Sequence, residues 1–208
     1  MTRAAMASSL SAASLRAAER HLVKNCAIMA HLVATHGHCG LTDRETPPFV
    51  TLVSSIIGQQ LSTKAAATIR GRVEAIVPNL ALSGFAKVSP DALRGAGLSA
   101  AKVRSLLDLA QRVNEGRLDL AGLASISDEG AIAELTTVMG IGRWTAEMFL
   151  IFGLKRPNVL ALSDAGLRRA ARLLYGDDTT LEDIGIRWHP YRSVASWYLW
   201  RHLDAVPS

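Results

Sequence analysis

Apolar residues recur with the period of a helix along nearly the whole of this chain. In "LRAAERHLVKNCAIMAHLVATHG" they lie three and four positions apart, and the pattern stops at Gly37. This stretch predicts one long first helix with a glycine C-cap. The segment "FVTLVSSIIGQQ" has the β-branched content of a strand, but the spacing of Leu52, Ile56 and Ile57 favours a helix. Since the alternation that an α/β fold needs is missing from the sequence, we expect an all-α protein.

Two middle segments carry the start and stop signals of helices. Ser62 precedes "TKAAATIRGRVEAIVP" and Ser99 precedes "AAKVRSLLDLAQRVNEG", so both serines are candidate N-caps. Gly116 is the expected stop of the second segment. In the first segment the helical period places four apolar residues on one face: Ala66, Ile69, Val73 and Ile76.

The connection "CGLTDRETPP" is polar and proline-bearing, as a linker between two lobes would be. A chain of 208 residues that is 49% apolar is long enough to bury a core in two such lobes. We expect residues 44–156 to form one helical lobe and residues 14–43 with 157–208 to form the second, with a cleft between them. The small, polar residues 1–13 predict a flexible tail.

Charge and cysteine content narrow the function classes. The net charge of +5 favours a polyanionic partner, although a mild excess of arginine also occurs in proteins that bind no nucleic acid. Cys26 and Cys39 are too few for a disulfide framework or a four-cysteine cluster, which indicates a reduced, cytoplasmic setting. No apolar run approaches the roughly 18 residues of a membrane span. The histidines between residues 21 and 38 complete no acid–histidine framework, so we expect no side-chain metal site.

The stretch "LTTVMGIGRWTAEMFLIF" predicts two helices joined by a tight turn. The first helix is expected to end near Val138 and the second to span residues 143–152. Gly140 and Gly142 allow a hairpin whose backbone N–H groups point outward at the start of the second helix, where the helix dipole also favours an anion. Such a turn can bind a phosphate without reading sequence. The alternative is an ordinary helix–turn–helix corner.

Several ordered motifs favour the phosphate-binding interpretation. The pattern "L-x-x-V-x-G-I-G-x-W-T-A" resembles the helix–hairpin–helix of the DNA glycosylase superfamily that carries a Gly/Pro-rich loop and an aspartate after the hairpin. "SIIGQQLSTKAA", "LRGAGLSAAKVRSLLDLA", "RPNVLALSDAGLRRAARLLYG" and "WHPYRSVASWYLWR" resemble further blocks of its 3-methyladenine DNA glycosylase II type. The resemblance runs from about residue 50 to residue 201. One departure is Ser163, where the family often has another aspartate, which leaves Asp164 as the only acid of its motif.

Asp164 lies between an apolar run and an arginine pair. In a purely structural role, Ser163 or Asp164 caps a helix over residues 164–175, which is worth about 1 kcal/mol. The resemblance implies that Asp164 is also the catalytic acid, because an ionised carboxylate stabilises the oxocarbenium-like sugar formed when an N-glycosidic bond breaks. At about 4 Å and an effective dielectric near 20 that attraction is roughly 4 kcal/mol, on the order of a thousandfold in rate. We expect the same carboxylate to orient or deprotonate the attacking water.

The tryptophans distinguish branches of the superfamily. Bifunctional members carry a lysine where this chain has Trp144, and an indole has no nucleophilic amine, so the resemblance implies a monofunctional enzyme without lyase activity. The target base must be flipped out of the duplex into a pocket. By motif position Trp144 and Trp200 are the candidate walls of this pocket, and Met148 replaces a residue that is often aromatic. Trp188 and Trp197 are expected to pack in the core.

The resemblance also assigns DNA contacts. Backbone groups of Gly140 and Gly142, and more loosely Thr145, are expected to bind phosphates. Gln60 aligns best with the residue that fills the gap left by the flipped base, and Leu61 is the apolar alternative. Gln59 and Gln60, in the stretch "GQQLS", have a simpler interpretation, in which they only close a helix end.

Together these features predict a monofunctional DNA N-glycosylase that excises alkylated purines of the 3-methyladenine and 7-methylguanine type from duplex DNA in base-excision repair. We expect a monomer without a cofactor in the cytoplasm, associated with the nucleoid. In this family the hairpin carbonyls, here Val138 and Gly140, can hold Na⁺ or K⁺. Two alternatives are a glycosylase for mismatched or deaminated bases on the same scaffold and a non-catalytic DNA-binding module.

Overall fold

The computed structural model describes residues 9–205, and within that range the chain is helical with no β-strand. The prediction of an all-α protein is therefore confirmed. Three short 3₁₀ helices span Gly40–Thr42, Pro78–Leu80 and Gly122–Ser125. The α-helices are α1 (Ala12–Asn25), α2 (Ala27–His36), α3 (Pro48–Gly58), α4 (Thr63–Ile76), α5 (Leu82–Phe85), α6 (Pro90–Gly95), α7 (Ala100–Asn114), α8 (Asp128–Thr136), α9 (Arg143–Phe152), α10 (Ala165–Tyr175), α11 (Leu181–Trp188) and α12 (Arg192–Ala205).

The chain divides into two compact units. Thr46–Gly153 contains α3 to α9, whereas Ser8–Glu45 and Leu154–Ser208 together form the second unit. None of the helices in the described range is long and apolar enough to cross a lipid bilayer.

Helix α3 is the centre of the first unit, where it packs against α4, α7 and α9. It begins at Pro48, a residue that suits the first helical position because its missing N–H would have no partner there. Leu52, Ile56 and Ile57 are completely or almost completely buried, so the helical interpretation of their spacing is confirmed. Burial of each such side chain stabilises the fold by about 1.5–3 kcal/mol relative to exposure.

Both serine caps of this unit are present as predicted. The Ser62 hydroxyl accepts a hydrogen bond from the Ala65 amide (3.3 Å), and the Ser99 hydroxyl accepts one from the Lys102 amide (3.3 Å). The predicted apolar face of α4 is only partly buried, because Ile76, in the last turn, is 42% exposed.

Helix α12 has the corresponding role in the second unit, where it packs against α1, α2, α10 and α11. The prediction of one long first helix is wrong, because the backbone is extended at Cys26 (φ −152°, ψ 113°) and separates α1 from α2. Two side-chain contacts favour the break. The Asn25 amide donates to the His21 carbonyl (2.8 Å), and the Cys26 sulfur lies 3.3 Å from the Tyr175 hydroxyl.

The start of α1 also corrects the predicted tail. Residues 1–8 lie outside the described part of the chain, but the residues that follow them are ordered. Leu10 is buried and its amide donates to the Lys155 carbonyl (2.8 Å). Ser11 and Ser14 form a capping box, in which the Ser11 hydroxyl accepts from the Ser14 amide (3.2 Å). A short polar stretch therefore acts as a helix start rather than as a flexible tail.

One carboxylate connects three segments of the second unit. Glu19 of α1 accepts hydrogen bonds from the Cys39 amide (2.8 Å) and from the Tyr198 hydroxyl of α12 (2.9 Å). The exposed His38 ring lies 2.9 Å from the same carboxylate. These contacts give His38 and the Cys39 amide a common partner in α1.

Candidate active site

The turn between α8 and α9, residues 138–142, is called the hairpin below. It closes with a hydrogen bond from the Ile141 amide to the Val138 carbonyl (3.1 Å). Gly140 has a left-handed backbone (φ +77°), and a Cβ atom placed there would collide with the Ser105 hydroxyl. Glycine is thus required at this position for two independent reasons, conformation and space.

Asp108 of α7 fixes the first half of the hairpin. Its carboxylate accepts a hydrogen bond from the Met139 amide (2.8 Å). It also forms an ion pair with Arg112, one helical turn later (3.0 Å). This aspartate was not predicted from the sequence as a functional residue. Its only sequence signal is the four-residue spacing from Arg112, which many surface helices share.

The second half of the hairpin presents the start of α9. Gly142 is the N-cap residue and is exposed, and in the part of the chain that the structure describes no side chain caps this helix. A Cβ at Gly142 would meet nothing within 4 Å. The first amides of α9 therefore lie beside open space at the positive end of a helix dipole, the arrangement that favours an anion.

The segment after α3, Gln60 with Leu61, is called the corner below. Gln60 is exposed and has a left-handed backbone (φ +57°), a conformation that costs a non-glycine residue about 1 kcal/mol or more. Leu61 is 37% exposed, a large fraction for an apolar side chain. Both candidates for filling a gap in DNA are thus at the surface.

Gln59, which precedes the corner, has a structural role. Its side-chain amide donates to the Gly140 carbonyl (3.1 Å) and to the Thr145 hydroxyl (3.0 Å). Thr145 is only 2% exposed, so its hydroxyl serves this internal contact. Of the predicted phosphate contacts, Thr145 can contribute only through its backbone.

Two predicted pocket residues of α9 differ in exposure. Trp144, in its first turn, is partly exposed, whereas Met148 is 7% exposed. Met148 therefore packs among its neighbours and presents little surface to a ligand. Among the other tryptophans, Trp188 is completely buried as expected, and Trp197 is half-buried with its ring 5.0 Å from that of Tyr198.

Asp164 is the N-cap of α10. Its Oδ1 atom accepts the Leu167 amide (2.7 Å), which identifies Asp164 rather than Ser163 as the cap. The same Oδ1 accepts the indole N–H of Trp200 from α12 (3.1 Å). Asp164 as a residue is 8% exposed. Two donors from two helices therefore orient a carboxylate that is largely buried. This contact to Trp200 was not predicted from the sequence.

Gly166 allows Asp164 and Trp200 to approach each other. A Cβ at this position would lie 3.1 Å from the Asp164 carboxylate and 3.4 Å from the Trp200 ring, tighter than ordinary contact. Arg168 adds a hydrogen bond to the Ser163 carbonyl (3.3 Å), which braces the loop before the acid. Local sequence signals for the Gly166 contact are absent, because it depends on where α12 lies.

The predicted cation ligands are main-chain groups. The Val138 carbonyl accepts the Ile141 amide and the Gly140 carbonyl accepts Gln59, so each oxygen has a second lone pair for a monovalent cation. Among the side chains of residues 9–205, no group of three or more histidine, cysteine, aspartate or glutamate residues could hold a metal ion.

Comparison with known proteins adds to this geometry. The sequence profile of the HhH-GPD superfamily of base excision DNA repair proteins matches residues 53–185. DNA-3-methyladenine glycosylase 1 of Schizosaccharomyces pombe is 32% identical over 163 residues, which are 74% of this chain and 72% of that protein.

Two solved structures share the fold. DNA-3-methyladenine glycosidase from Bacillus halodurans is 38% identical, with a TM-score of 0.75 and 88% of each chain covered. The S. pombe 3-methyladenine DNA glycosylase in complex with abasic DNA is 29% identical, with a TM-score of 0.76, and the match covers 90% of this chain and 97% of that one. The chain belongs to the HhH-GPD superfamily of base excision DNA repair proteins, and its relatives confirm the resemblance to the 3-methyladenine DNA glycosylase II type.

Proposed function

We propose that this chain is a monofunctional DNA N-glycosylase that removes alkylated purines, of the 3-methyladenine and 7-methylguanine type, from duplex DNA. The observation that carries the proposal is the Asp164 carboxylate, which two hydrogen bonds orient at the start of α10. The names of the relatives support the substrate class, and the S. pombe structure contains abasic DNA, the product that base removal leaves.

The proposed reaction is a hydrolysis. The bond between the sugar C1′ and the base nitrogen breaks, and its electron pair leaves with the base. Because an alkylated purine is cationic, it departs as a neutral molecule and needs little acid assistance. Asp164 stabilises the oxocarbenium-like sugar electrostatically. Water then adds to C1′ and gives its proton to the carboxylate, which leaves an abasic site.

Asp164 is suited to this role because its geometry is fixed before the substrate binds. The Leu167 amide and the Trp200 indole both donate to Oδ1, so the carboxylate does not reorganise as charge develops on the sugar. Preorganised groups of this kind supply most of the electrostatic stabilisation in many enzymes.

The remaining predicted residues bind the DNA and the base. Amides at Gly140 and Gly142 would bind phosphates, and Gln60 or Leu61 would fill the gap in the base stack. Trp144 would offer an aromatic face to the flipped cationic base. The buried Met148 would support Trp144 from within α9 rather than line the pocket.

Two further features complete the proposal. Trp144 supplies no amine for a Schiff base, so strand cleavage is not part of the reaction. The Val138 and Gly140 carbonyls would hold a monovalent cation that stabilises the hairpin. We propose that the enzyme acts as a monomer on chromosomal DNA.

The decisive experiment is single-turnover base release from duplexes that contain 7-methylguanine, hypoxanthine, G·T or G·U. Asp164→Asn is the informative variant, because the amide oxygen can still accept both hydrogen bonds. Asp178→Asn changes the same charge at an exposed position and is its control. We expect release of the methylated purine to fall on the order of a thousandfold in Asp164→Asn only.

Other outcomes would identify the alternatives. Release of hypoxanthine or of a mismatched base, without release of the methylated purine, would indicate the deaminated-base or mismatch enzyme. DNA binding without release from any duplex would make Asp164 a helix cap and the protein a binding module. Trapping of a covalent DNA adduct with borohydride would contradict the monofunctional mechanism.

A further inference from the structure

The corner has a backbone conformation that needs external support. Helix α3 ends at Gly58, whose carbonyl accepts the Leu61 amide (3.2 Å), and Gln60 between them is in the left-handed region (φ +57°). A non-glycine residue stays in that region only where its surroundings fix it. The surroundings of the corner therefore determine where its exposed side chains point.

Lys102 of α7 supplies the first support. Its ammonium group donates to the Ile57 carbonyl and to the Gln59 carbonyl, both at 2.8 Å. These carbonyls belong to the last turn of α3, where a cation also complements the negative end of the helix dipole. Burial lowers the pKa of Lys102, so this charge is placed here at a cost.

The Gln59 side chain supplies the second support and extends it to the hairpin. Its amide nitrogen lies 3.1 Å from the Gly140 carbonyl and 3.0 Å from the Thr145 hydroxyl. One residue thus contacts the hairpin, the first turn of α9 and, through its own carbonyl, Lys102. Gln59, the residue before the corner, is connected in this way to Gly140 of the hairpin, which lies beside the proposed phosphate site.

We infer that Gln59 and Lys102 are positioning residues that fix the corner relative to the hairpin, so that both engage DNA as one rigid element. The inference rests on the proposed function, because it assumes that both segments contact DNA. Its consequence is that insertion of the corner into the base stack and binding of a phosphate by the hairpin depend on each other. If the two segments were independent, each would contribute to binding separately.

A double-mutant cycle on binding tests this dependence. Leu61→Ala shortens the corner, and Gly142→Ala adds a methyl group at the proposed phosphate site without an internal clash. Affinity for a duplex with a tetrahydrofuran abasic analogue is measured for each variant and for both together. The cycle is then repeated in the Gln59→Ala background.

When Gln59 is present, we expect the fold-loss of affinity in the double variant to differ by about threefold or more from the product of the fold-losses in the two single variants. In the Gln59→Ala background the losses should multiply within about twofold, as they do for independent sites. Losses that multiply within twofold in both backgrounds would overturn the inference. So would a cycle that is unchanged by Gln59→Ala.

Lys102 is tested with a readout of base-stack opening. A 2-aminopurine beside the abasic analogue brightens when the stack opens, and we expect Lys102→Met to lower that signal at saturating protein while Lys102→Arg restores it. Lys87→Met, at an exposed position, removes the same charge and serves as the control. Equal signals in Lys102→Met and Lys87→Met would contradict the role of Lys102.

The two proposals fail in different ways. Coupled binding in a wild-type protein that releases no base would overturn the proposed activity and leave the inference standing. Base release by the wild-type protein, together with affinity losses that simply multiply in the cycle, would support the proposed activity and overturn the inference. Melting temperatures of all variants show whether a lost signal reflects unfolding. Lys102→Arg is the reference for Lys102→Met, and Gln111→Ala, at an exposed position of α7, is the reference for Gln59→Ala.

Discussion

The Trp200 indole donates a hydrogen bond to Asp164 Oδ1 across 3.1 Å, although the two residues are 36 positions apart in the chain. An aromatic residue of α12 therefore fixes the orientation of the acid at the start of α10. The hydrogen bond gives Trp200 a contact with the carboxylate in addition to its predicted place in the wall of a base pocket, which stays a prediction.

We predict that Trp200→Phe slows base release by about tenfold or more, since a hydrogen bond to a charged group contributes about 1.5–3 kcal/mol. Single-turnover rates at saturating enzyme measure the effect. Trp197→Phe, a half-buried tryptophan of the same helix, is the matched control and should keep its rate. An unchanged rate in Trp200→Phe would show that the carboxylate is oriented without the Trp200 hydrogen bond.

Gly166→Ala should separate stability from activity. Replacing glycine by alanine where the backbone is compatible stabilises a protein by about 0.4–1 kcal/mol through the unfolded chain, but in the first turn of α10 the added Cβ would lie 3.1 Å from the Asp164 carboxylate. We expect a melting temperature that is unchanged or higher together with a slower base release. Gly71→Ala on α4 meets nothing within 4 Å and should raise stability without affecting the rate. Full activity in Gly166→Ala would mean that the acid tolerates displacement.

The two hairpin glycines should respond differently to alanine. At Gly140 the left-handed backbone (φ +77°) and the Ser105 hydroxyl both oppose a Cβ, so Gly140→Ala should lower the free energy of unfolding by more than 1 kcal/mol. Gly142→Ala should lower stability less than Gly140→Ala, since alanine is a poorer N-cap residue than glycine but meets no clash there, and it should weaken binding to undamaged duplex DNA. Urea denaturation and fluorescence anisotropy measure the two quantities, and a reversal of the two effects would contradict the assignment of Gly142 to the phosphate site.

Alkaline pH should destabilise the second unit through Cys39. Burial raises the pKa of this thiol from an ordinary value of 9.0 to about 12. Between these values the unfolded chain loses the proton and the folded chain keeps it, so the free energy of unfolding falls as pH rises, by at most about 1.4 kcal/mol per pH unit for one group. Below pH 9 the group has no effect.

Urea denaturation under reducing conditions at pH 8, 9 and 10 measures this slope. Cys39→Ala should remove most of this slope between pH 9 and 10, because the hydroxyls of Tyr175 and Tyr198, whose pKa burial raises from 10.0, contribute mainly above pH 10. Rapid reaction of Cys39 with iodoacetamide in the folded protein at pH 9 would show that the thiol is accessible, and would contradict the prediction.

The features that the sequence predicts well are those that neighbouring residues determine. The Ser62 and Ser99 caps, the helix over α9 and the glycine hairpin each depend on residues within a few positions, so local patterns are sufficient to find them. For the same reason the cap of α10 was predicted to be Ser163 or Asp164, and the structure identifies it as Asp164. Its catalytic role came from the resemblance and stays a proposal.

The features that were missed depend on contacts between distant residues. The break at Cys26 involves Tyr175, which is 149 positions away, and neither glycine nor proline precedes it in the first helix. Gln59 contacts Gly140 across 81 positions, and Ser105 restricts Gly140 from another helix. Such contacts are set by how helices pack, which the period of apolar residues does not specify.

The division of the second unit between both ends of the chain has a consequence for biosynthesis. Helices α1 and α2 leave the ribosome before α3 to α9, and they pack against α12, which is translated after all of these. The main packing contacts of α3 to α9 lie within Thr46–Gly153, so this unit can fold during translation, whereas α1 and α2 must wait until α12 has left the ribosome. Pulse proteolysis of ribosome-bound chains in which a flexible linker long enough to span the exit tunnel follows Gly153 should therefore cut α1 and α2 while α3 to α9 stay protected.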